Sequence, residues 1–300
     1  MSRTIPVAAV VPVHRGQATV AHAVASLLVH PPDLLERVVV VASPADGSAS
    51  VAAAFDDPRV VVVRTDARLD AGAARNLGRT LAPDGCHLLF LDADCRIARG
   101  ALARLVDRLD DPSVSAVGGA VTCVGTTWTS WLRHELEFKD YDGRRPAGGR
   151  VGFVPSALLL CRAEAFDRVG GFPDLWPGED LVLCARLRAA SGAVVFEPSA
   201  VAKHRHPSGV AELLRHQRRL GATAARARAA GAGPGRILWR RPALALLLWP
   251  ARTLRLLASV ARHRRRRLAR LALLWPLAVT ALGVWTFAFA LEAGAGRRRG

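Results

Sequence analysis

The chain has 300 residues, of which 51% are hydrophobic, and a formal net charge of +17. Its length exceeds that of one average domain, and the hydrophobic content is sufficient for a sizeable core with an additional segment. The five cysteines are odd in number and lack C-x-x-C spacing. This usage argues against a disulfide framework and is consistent with reduced thiols in the cytosol.

The first third of the sequence alternates between apolar runs of strand length and helical stretches. Helices are predicted near 17–29 and around 71–82. The predicted strands are 7–13, 37–42, 59–64 and 87–92. This alternation predicts an α/β fold with a parallel sheet covered by helices on both faces, in which ligands bind at the carboxyl ends of the strands. The first apolar run follows Arg3, but it is short and contains prolines, so it is predicted to be a strand and not a signal peptide.

Two carboxylates, Asp92 and Asp94, stand at the end of the fourth predicted strand, with one alanine between them. A rigid buried strand can hold both groups at a fixed position, where a cation and a phosphate-bearing ligand share them. Carboxylate oxygens are ligands that suit Mg²⁺ or Mn²⁺. The pair therefore predicts a metal and phosphate site at the carboxyl edge of the sheet.

Further candidate functional residues follow in the second half of the chain. The stretch GGFPDLWPGEDLVLCARLRAASG at 170–192 places an acidic pair, Glu179 and Asp180, at the start of a predicted helix. The stretches HRHPSG and RHQRRLG then supply histidines and arginines. Residues 221–236 are mostly small, which is typical of a flexible linker.

The charge is segregated along the chain. Residues 1–200 hold 21 Lys and Arg against 23 Asp and Glu, whereas residues 201–300 hold 21 against 2. Such an excess indicates attraction to an anionic partner, either nucleic acid or a membrane surface. The uncharged segment 271–291 is long enough, at ~1.5 Å per residue, to cross a hydrocarbon core of ~30 Å. The predicted partner is therefore a membrane and not nucleic acid.

The residues around this segment predict its orientation. More arginines precede it than follow it, which places the catalytic domain on the cytoplasmic face of the cell membrane. A second apolar segment, 243–261, contains Arg252 and Arg255 and is predicted to lie in the membrane interface. A hairpin of both segments, or a pair of buried helices in a soluble fold, are the alternatives.

Five motifs resemble, in order, those of family 2 glycosyltransferases of the GT-A fold. They are VVPVHRG at 10–16, AGAARNLG at 71–78, FLDADC at 90–95, the acidic pair at 179–180, and the HRHPSG and RHQRRLG stretches. The resemblance covers roughly residues 5–222. It implies a Rossmann-like GT-A domain at 1–222, with a nucleotide-sugar-binding half at about 1–118 and an acceptor half at 119–222. A linker at 223–236 and a basic membrane-associated helical region at 237–300 are expected to follow.

The resemblance also implies catalytic and metal-binding roles. Asp180 matches the general base that deprotonates the acceptor hydroxyl, and Glu179 is expected to orient the acceptor. Asp94 is expected to bind the divalent cation that bridges the two phosphates of the donor. Asp92 is expected to contact the ribose of the donor or to share the metal.

Donor contacts are implied at several positions outside these acids. They are Pro12 and His14 at the end of the first strand, Arg75 at the start of a helix, and Arg219 at the arginine position of the family. His204 and His206 are further candidates for metal or phosphate binding.

Three features of this sequence depart from the family pattern. His216 replaces the usual glutamine and Leu220 the usual aromatic residue, which disfavours a processive polymerase. Ala42 and Ser43 stand where the family has carboxylates that hold the nucleotide base. Either Asp46 or the backbone is expected to take over that contact.

The predicted function is an inverting, divalent-cation-dependent transfer of a sugar from a nucleotide-diphosphate sugar to a lipid-linked or cell-envelope acceptor. One alternative is a haloacid dehalogenase-type phosphatase with Asp92 as nucleophile, although that family needs a downstream lysine and a different acidic spacing. A non-enzymatic basic protein that binds membrane or nucleic acid is the other alternative, and it leaves the acidic motifs without a role.

Overall fold

The computed structural model describes residues 5–44, 46–125, 127–143, 149–231, 237–238, 241–263 and 267–299. The chain divides into two compact units. The first, termed the sheet unit, comprises Met1–Thr122 and Tyr141–His204. The second, termed the helical unit, comprises Cys123–Asp140 and Arg205–Gly300.

The sheet unit is built on eight described strands. They are β1 (Val7–Val13), β2 (Leu35–Ala42), β3 (Val60–Arg64), β4 (His87–Leu91), β5 (Cys95–Ile97), β6 (Val114–Cys123), β7 (Leu158–Cys161) and β8 (Ala193–His204). They form one mixed sheet in the order β3-β2-β1-β4-β7-β6-β8-β5. Strands β1 to β4 are parallel, whereas β7 runs antiparallel to β4 and β6, and β5 runs antiparallel to β8.

The described helices are divided between the two units. Those of the sheet unit are α1 (Val20–Leu28), α2 (Ser48–Ala53), α3 (Ala71–Thr80), α4 (Ala101–Leu109), α6 (Ala163–Arg168) and α7 (Glu179–Ala189). Those of the helical unit are α5 (Trp128–Glu137), α8 (Val210–Ala229), α9 (Pro242–Ala245), α10 (Leu248–His263), α11 (Leu268–Leu273) and α12 (Trp275–Arg299).

The central strands are apolar without alternation because both faces of the sheet are covered. Every residue of Val7–Val11, Val38–Val41 and Leu88–Leu91 is fully buried. Helix α3 lies close to β1, because Gly78 has no side chain and a Cβ there would overlap Val10. This approach fixes the first residues of α3 near the carboxyl ends of the parallel strands.

The predicted parallel sheet with its flanking helices is confirmed for β1 to β4, α1 and α3. The antiparallel half completes the sheet. Its register matters for the site, because the pairing of β5 with β8 sets Cys95 opposite His204.

The helical unit packs around two apolar clusters. One joins Trp131, Leu132 and Leu136 of α5 to residues of α8, α10, α11 and α12. In the other, Trp285 and Phe289 of α12 pack with residues of α8 and α9. Helices α8 and α12 approach closely at Gly221, where a Cβ would overlap the Trp285 carbonyl.

The structure departs from the predicted domain boundaries in three places. Residues 205–222, predicted to lie in the acceptor half, belong to the helical unit. Helix α5 lies inside the predicted acceptor half at 119–222, yet it belongs to the helical unit, because its apolar side chains pack there. The predicted linker at 223–236 is helical as far as Ala229, since α8 continues through an alanine-rich stretch of high helix propensity. Residues 232–236 of that linker lie outside the described residues.

Two helical segments, Ala243–Ala261 and Trp275–Gly296, are long and apolar enough to cross a membrane by length and composition alone. The second overlaps the predicted span 271–291, but the helix is interrupted between Leu273 and Trp275. Pro276 lies in the first turn after this break, where its missing N–H is tolerated. The apolar windows of the two segments are 17% and 44% buried, respectively.

Candidate active site

The carboxyl end of β4 carries Asp92 and Asp94, as the sequence predicts. The two side chains are partly exposed and belong to a turn in which the Cys95 N–H donates to the Asp92 carbonyl at 2.9 Å. Asp94 Oδ1 lies 3.3 Å from His204 Nε2. His204 comes from the end of β8, so the antiparallel pairing of β5 and β8 brings it to the acidic pair.

Arg75 is the cation at the centre of the candidate site. Its side chain is 2% exposed, and its guanidinium donates from Nη2 to Asp92 Oδ1 and from Nη1 to Glu179 Oε1, both at 2.6 Å. The planar fork of arginine suits two carboxylates at once. Arg75 thereby joins the end of β4 to the start of α7.

The residues beside Arg75 fasten α3 to the segment that precedes α7. Asn76 Nδ2 donates to the Phe172 carbonyl at 2.9 Å, and the Phe172 N–H donates to Asn76 Oδ1 at 3.0 Å. At Gly72, a Cβ would press against Phe172 and Glu179. The helix begins at Asp70, whose carboxylate caps it by accepting from the Ala73 N–H at 2.8 Å.

The acidic pair at the start of α7 has two distinct environments. Glu179 is buried, and besides the Arg75 bond it accepts from the Gly178 N–H at 2.9 Å. Asp180 accepts from the Ser156 N–H at 3.2 Å and from the Leu181 N–H at 2.8 Å. Glu179 is therefore held by Arg75, while Asp180 faces a different set of groups.

The pKa of Asp180 is raised to about 7. Burial is the main cause, and the neighbouring Glu179 carboxylate adds to it. The Ser156 N–H and the Arg75 guanidinium act in the opposite direction. A carboxyl group with a pKa near neutrality is suited to proton transfer, because both of its protonation states are accessible at working pH.

The residues at the β4 end fit a divalent cation. Asp92, Asp94, Cys95 and His204 each offer a ligand atom, and these atoms lie within 4.8 Å of one another. Burial raises the pKa of the Cys95 thiol well above its ordinary value, and hard cations such as Mg²⁺ prefer oxygen ligands to sulfur, so Cys95 is the least suited of the four. Two carboxylates with one imidazole suit Mg²⁺ or, with the nitrogen ligand, Mn²⁺.

The carboxyl end of β1 carries Pro12 and His14, the two residues predicted there to bind the donor. Pro12 is part of β1, and His14 follows the strand. Burial and the nearby Arg68 and Arg15 lower the pKa of His14, which favours the neutral imidazole.

The loop after β2 is tied to the loop after β1 by Asp46. This carboxylate accepts from the Gln17 N–H at 3.1 Å and from the Ser48 N–H at 3.0 Å. Ser43, in the place of a family carboxylate, is buried, and its hydroxyl accepts from the Leu69 N–H at 3.2 Å. Both side chains position loops around the site.

Arg219 and His206 belong to the helical unit. Arg219 is exposed on α8. His206 is buried, with its Nε2 3.2 Å from His134 Nδ1 and its ring near Phe138. Its ring thus contacts aromatic and histidine side chains of that unit, and its charge also acts on the Glu137 carboxylate.

Sequence reasoning missed Asn76 and Ser156, and it noted Ser43 only as a departure from the family pattern. Asn76 had a signal, because it follows Arg75 in the AARNLG motif. Ser156 had none, because its contact with Asp180 joins residues 24 positions apart.

Residues 8–170 match the model of the family described as glycosyl transferase family 2. The pre-mycofactocin glycosyltransferase of Mycobacterium tuberculosis is 32% identical over 159 residues, which cover 51% of this chain and 34% of that protein. The succinoglycan biosynthesis protein ExoO of Rhizobium meliloti is 33% identical over 208 residues, which cover 64% of this chain and 58% of that protein. The chain thus spans less than two thirds of the length of these curated relatives.

Two solved structures share the fold. The mannosyltransferase PcManGT of Pyrobaculum calidifontis, in complex with GDP-Man and Mn²⁺, has a TM-score of 0.61 at 23% identity and covers 99% of this chain and 88% of its own. GalNAc-T7 with UDP, GalNAc and Mn²⁺ has a TM-score of 0.57 at 17% identity and covers 78% of this chain and 53% of its own. The fold is therefore GT-A. The family match favours the glycosyltransferase hypothesis over the phosphatase and the non-enzymatic alternatives.

Proposed function

Because the chain belongs to glycosyl transferase family 2, we propose that it is an inverting glycosyltransferase that moves a sugar from a nucleotide-diphosphate sugar to an acceptor hydroxyl. The observation that carries the proposal is the pair of hydrogen bonds that the Arg75 guanidinium donates to Asp92 and to Glu179. It links the acids suited to the diphosphate of the donor with the acids suited to the proton of the acceptor.

The proposed reaction is a single displacement. The acceptor oxygen attacks the anomeric carbon on the face opposite the diphosphate, the bond from that carbon to the diphosphate oxygen breaks, and the configuration inverts. Asp180 takes the proton of the acceptor hydroxyl. The raised pKa of its carboxyl group supports this role, because a general base is most effective when its pKa lies near the working pH.

Glu179 acts in this proposal as a positioning residue. Its carboxylate is occupied by Arg75 and by the Gly178 N–H, so it orients the guanidinium and does not contact the acceptor. This differs from the role in acceptor orientation that the family resemblance implied. Arg75 in turn holds Asp92 at Oδ1 and keeps the β4 carboxylate in place.

The cation site consists of Asp94, Asp92 and His204 in this proposal. A bound divalent cation would neutralise the charge of the departing diphosphate. Two observations support it: the four candidate ligand groups converge, and both structural neighbours were solved with Mn²⁺. Those neighbours were also solved with UDP and with GDP-Man, respectively, which supports a nucleoside-diphosphate donor.

We further propose that the acceptor is a lipid-linked or cell-envelope molecule and that the chain works at the cytoplasmic face of the cell membrane. The name of ExoO refers to succinoglycan biosynthesis, which supports a glycan product. The two candidate spans of the helical unit support membrane association. The excess of arginines before residue 271 supports the orientation.

Release of nucleoside diphosphate from a panel of UDP- and GDP-sugars, with Mn²⁺ or with a chelator, tests the proposed reaction. We expect one donor to be consumed only with the cation. The Asp180→Asn variant is expected to lose turnover by a factor of ~10² to 10⁴ while it still binds the donor. Asp174→Asn is the matched control, because Asp174 is an exposed acid in the segment before α7. Near-normal turnover of Asp180→Asn would remove Asp180 from the mechanism.

A further inference from the structure

The helical unit contains an open groove of about 410 Å³. This volume lies in the range of ~300 to 1,000 Å³ that is usual for small-molecule sites. Trp249 of α10 lines it together with Val284, Phe287 and Leu291 of α12, and Arg218 of α8 completes the lining. Phe287 and Leu291 are 50% and 73% exposed, so the apolar surface extends beyond the groove.

The uncharged polar groups of the lining are satisfied inside the protein. Trp249 Nε1 donates to the Val279 carbonyl at 2.9 Å, and the Thr280 hydroxyl donates to the Pro276 carbonyl at 2.8 Å. The Trp249 ring packs against Gly283, where a Cβ would lie 3.1 Å from the ring. A ligand in the groove therefore meets hydrocarbon, apart from the guanidinium of Arg218.

Arg218 has no anionic partner among the described residues. The helical unit contains five acids, and each is paired with another cation. These pairs are Glu135–Arg267, Glu137–Arg133, Asp140–Arg255, Glu212–Arg215 and Glu292–Arg226. An apolar groove with one uncompensated cation is complementary to a hydrocarbon chain that carries one negative charge.

We propose that this groove binds an acyl chain of an anionic membrane phospholipid, with the phosphate of the lipid headgroup at Arg218. A zwitterionic lipid would fill the groove but engage Arg218 more weakly, because its ammonium offsets the charge of its phosphate, and inorganic phosphate would engage Arg218 without filling the groove. The proposal rests on the membrane association proposed above. It concerns a lipid of the surrounding bilayer and assigns no role in sugar transfer.

Photolabelling of the full chain tests this assignment. The probe is a phosphatidylglycerol with a photoactivatable acyl chain, carried at low content in phosphatidylcholine vesicles. We expect crosslinks in residues 280–291 and the loss of most of them in Val284→Trp, because the indole fills the groove. Leu273→Trp is the matched control, since Leu273 is 81% exposed and lies outside the groove.

The charge is tested separately with Arg218→Gln, which leaves the groove lining apolar. We expect the preference for labelled phosphatidylglycerol over labelled phosphatidylcholine to fall by about five-fold, as expected for one arginine near an anionic surface. Arg215→Gln is the control, because Arg215 is exposed on the same helix and pairs with Glu212. Wild-type labelling without preference for the anionic lipid would overturn the proposal even if Val284→Trp failed to fold.

Three further outcomes separate this proposal from others. Flotation of the chain with the vesicles in a density gradient measures membrane association. If the wild-type chain does not float with the vesicles, the proposed membrane association fails, and the groove assignment fails with it. If the chain floats but Val284→Trp labels like the wild type, only the groove assignment fails. Stronger displacement of the probe by an isoprenyl phosphate than by unlabelled phosphatidylglycerol would also overturn it, because the occupant would then be an isoprenoid.

Discussion

Replacement of Arg75 by methionine tests the central contact of the candidate site. The guanidinium of Arg75 is the shared partner of two carboxylates, Asp92 and Glu179, and it also lowers the pKa of the neighbouring Asp180. In Arg75→Met both carboxylates lose this cation. The variant should therefore affect the stability of the sheet unit as well as the protonation of the proposed base.

The two lost ion pairs differ in their cost. The side chain of Glu179 is 5% exposed, and removal of one partner from a buried pair costs about 3 to 5 kcal/mol. The side chain of Asp92 is 31% exposed, so water screens it and its share is small. We therefore expect the free energy of unfolding to fall by about 3 to 5 kcal/mol. In Arg75→Met/Glu179→Met no buried charge is left alone at this position, and most of the loss should be recovered.

Hydrogen exchange of the amides in β1 to β4, measured in increasing denaturant, isolates the sheet unit from the helical unit. Arg75→Lys provides an intermediate case, because an ammonium keeps the charge but cannot reproduce the two-pronged geometry. A loss smaller than about 1 kcal/mol in Arg75→Met would show that Glu179 is not held as the structure indicates. A double variant no more stable than the single variant would contradict the pairing itself.

Three other predictions test the acids and the packing. Burial raises the pKa of Asp180 from 3.8 to about 7, so this group stabilises the folded chain below pH 3.8 and loses that contribution as the pH rises through about 7. Asp180→Asn should therefore raise the free energy of unfolding more at pH 8 than at pH 4, as measured by denaturation at the two pH values. The kcat/KM of the wild type should increase as the pH rises through 7, as measured by steady-state kinetics. Asp94→Asn should abolish Mn²⁺ binding in calorimetric titration, whereas Asp56→Asn, at an exposed acid, should not; equal binding by both would exclude Asp94 as a ligand. Gly78→Ala should lower the free energy of unfolding by about 1 to 3 kcal/mol, because the new methyl group overlaps Val10, and an unchanged denaturation midpoint would refute this.

The part of the fold that sequence reasoning predicted is the part with local signals. The valine runs of β1 and β2 are buried on both faces, so their apolar character is continuous and easily recognised. The valine run of β3, at the edge of the sheet, is equally continuous although its residues are only partly buried. Strand β5 has three residues and β7 has four, which is too short for a periodicity to emerge. Their antiparallel pairing depends on distant partners, and no local pattern encodes it.

The same distinction applies to the candidate site. The D-x-D and Glu-Asp motifs mark four acids because they follow a strand or begin a helix. The family resemblance implied a donor contact for Arg75; the structure shows its guanidinium between Asp92 and Glu179, which lie 17 and 104 residues away in the sequence. Electrostatic partners at such separations are set by the sheet order, which the motif does not contain.

The net charge of residues 201–300 overstates the positive charge that is available to anionic lipids. Helix α5 and the turn after it bring acids into the helical unit from outside that range: the fully buried Glu135 meets Arg267 at 2.7 Å, and Asp140 meets Arg255 at 2.7 Å. Since these arginines are compensated, the membrane attraction proposed above depends on the remaining cations. Pairing with an acid distinguishes two arginines of the same helix. Arg215 is paired with Glu212, whereas Arg218 lines an apolar groove whose described lining contains no acidic residue. Sequence alone assigns both residues the same charge, and only the pairing pattern predicts that their substitution has different effects on lipid binding.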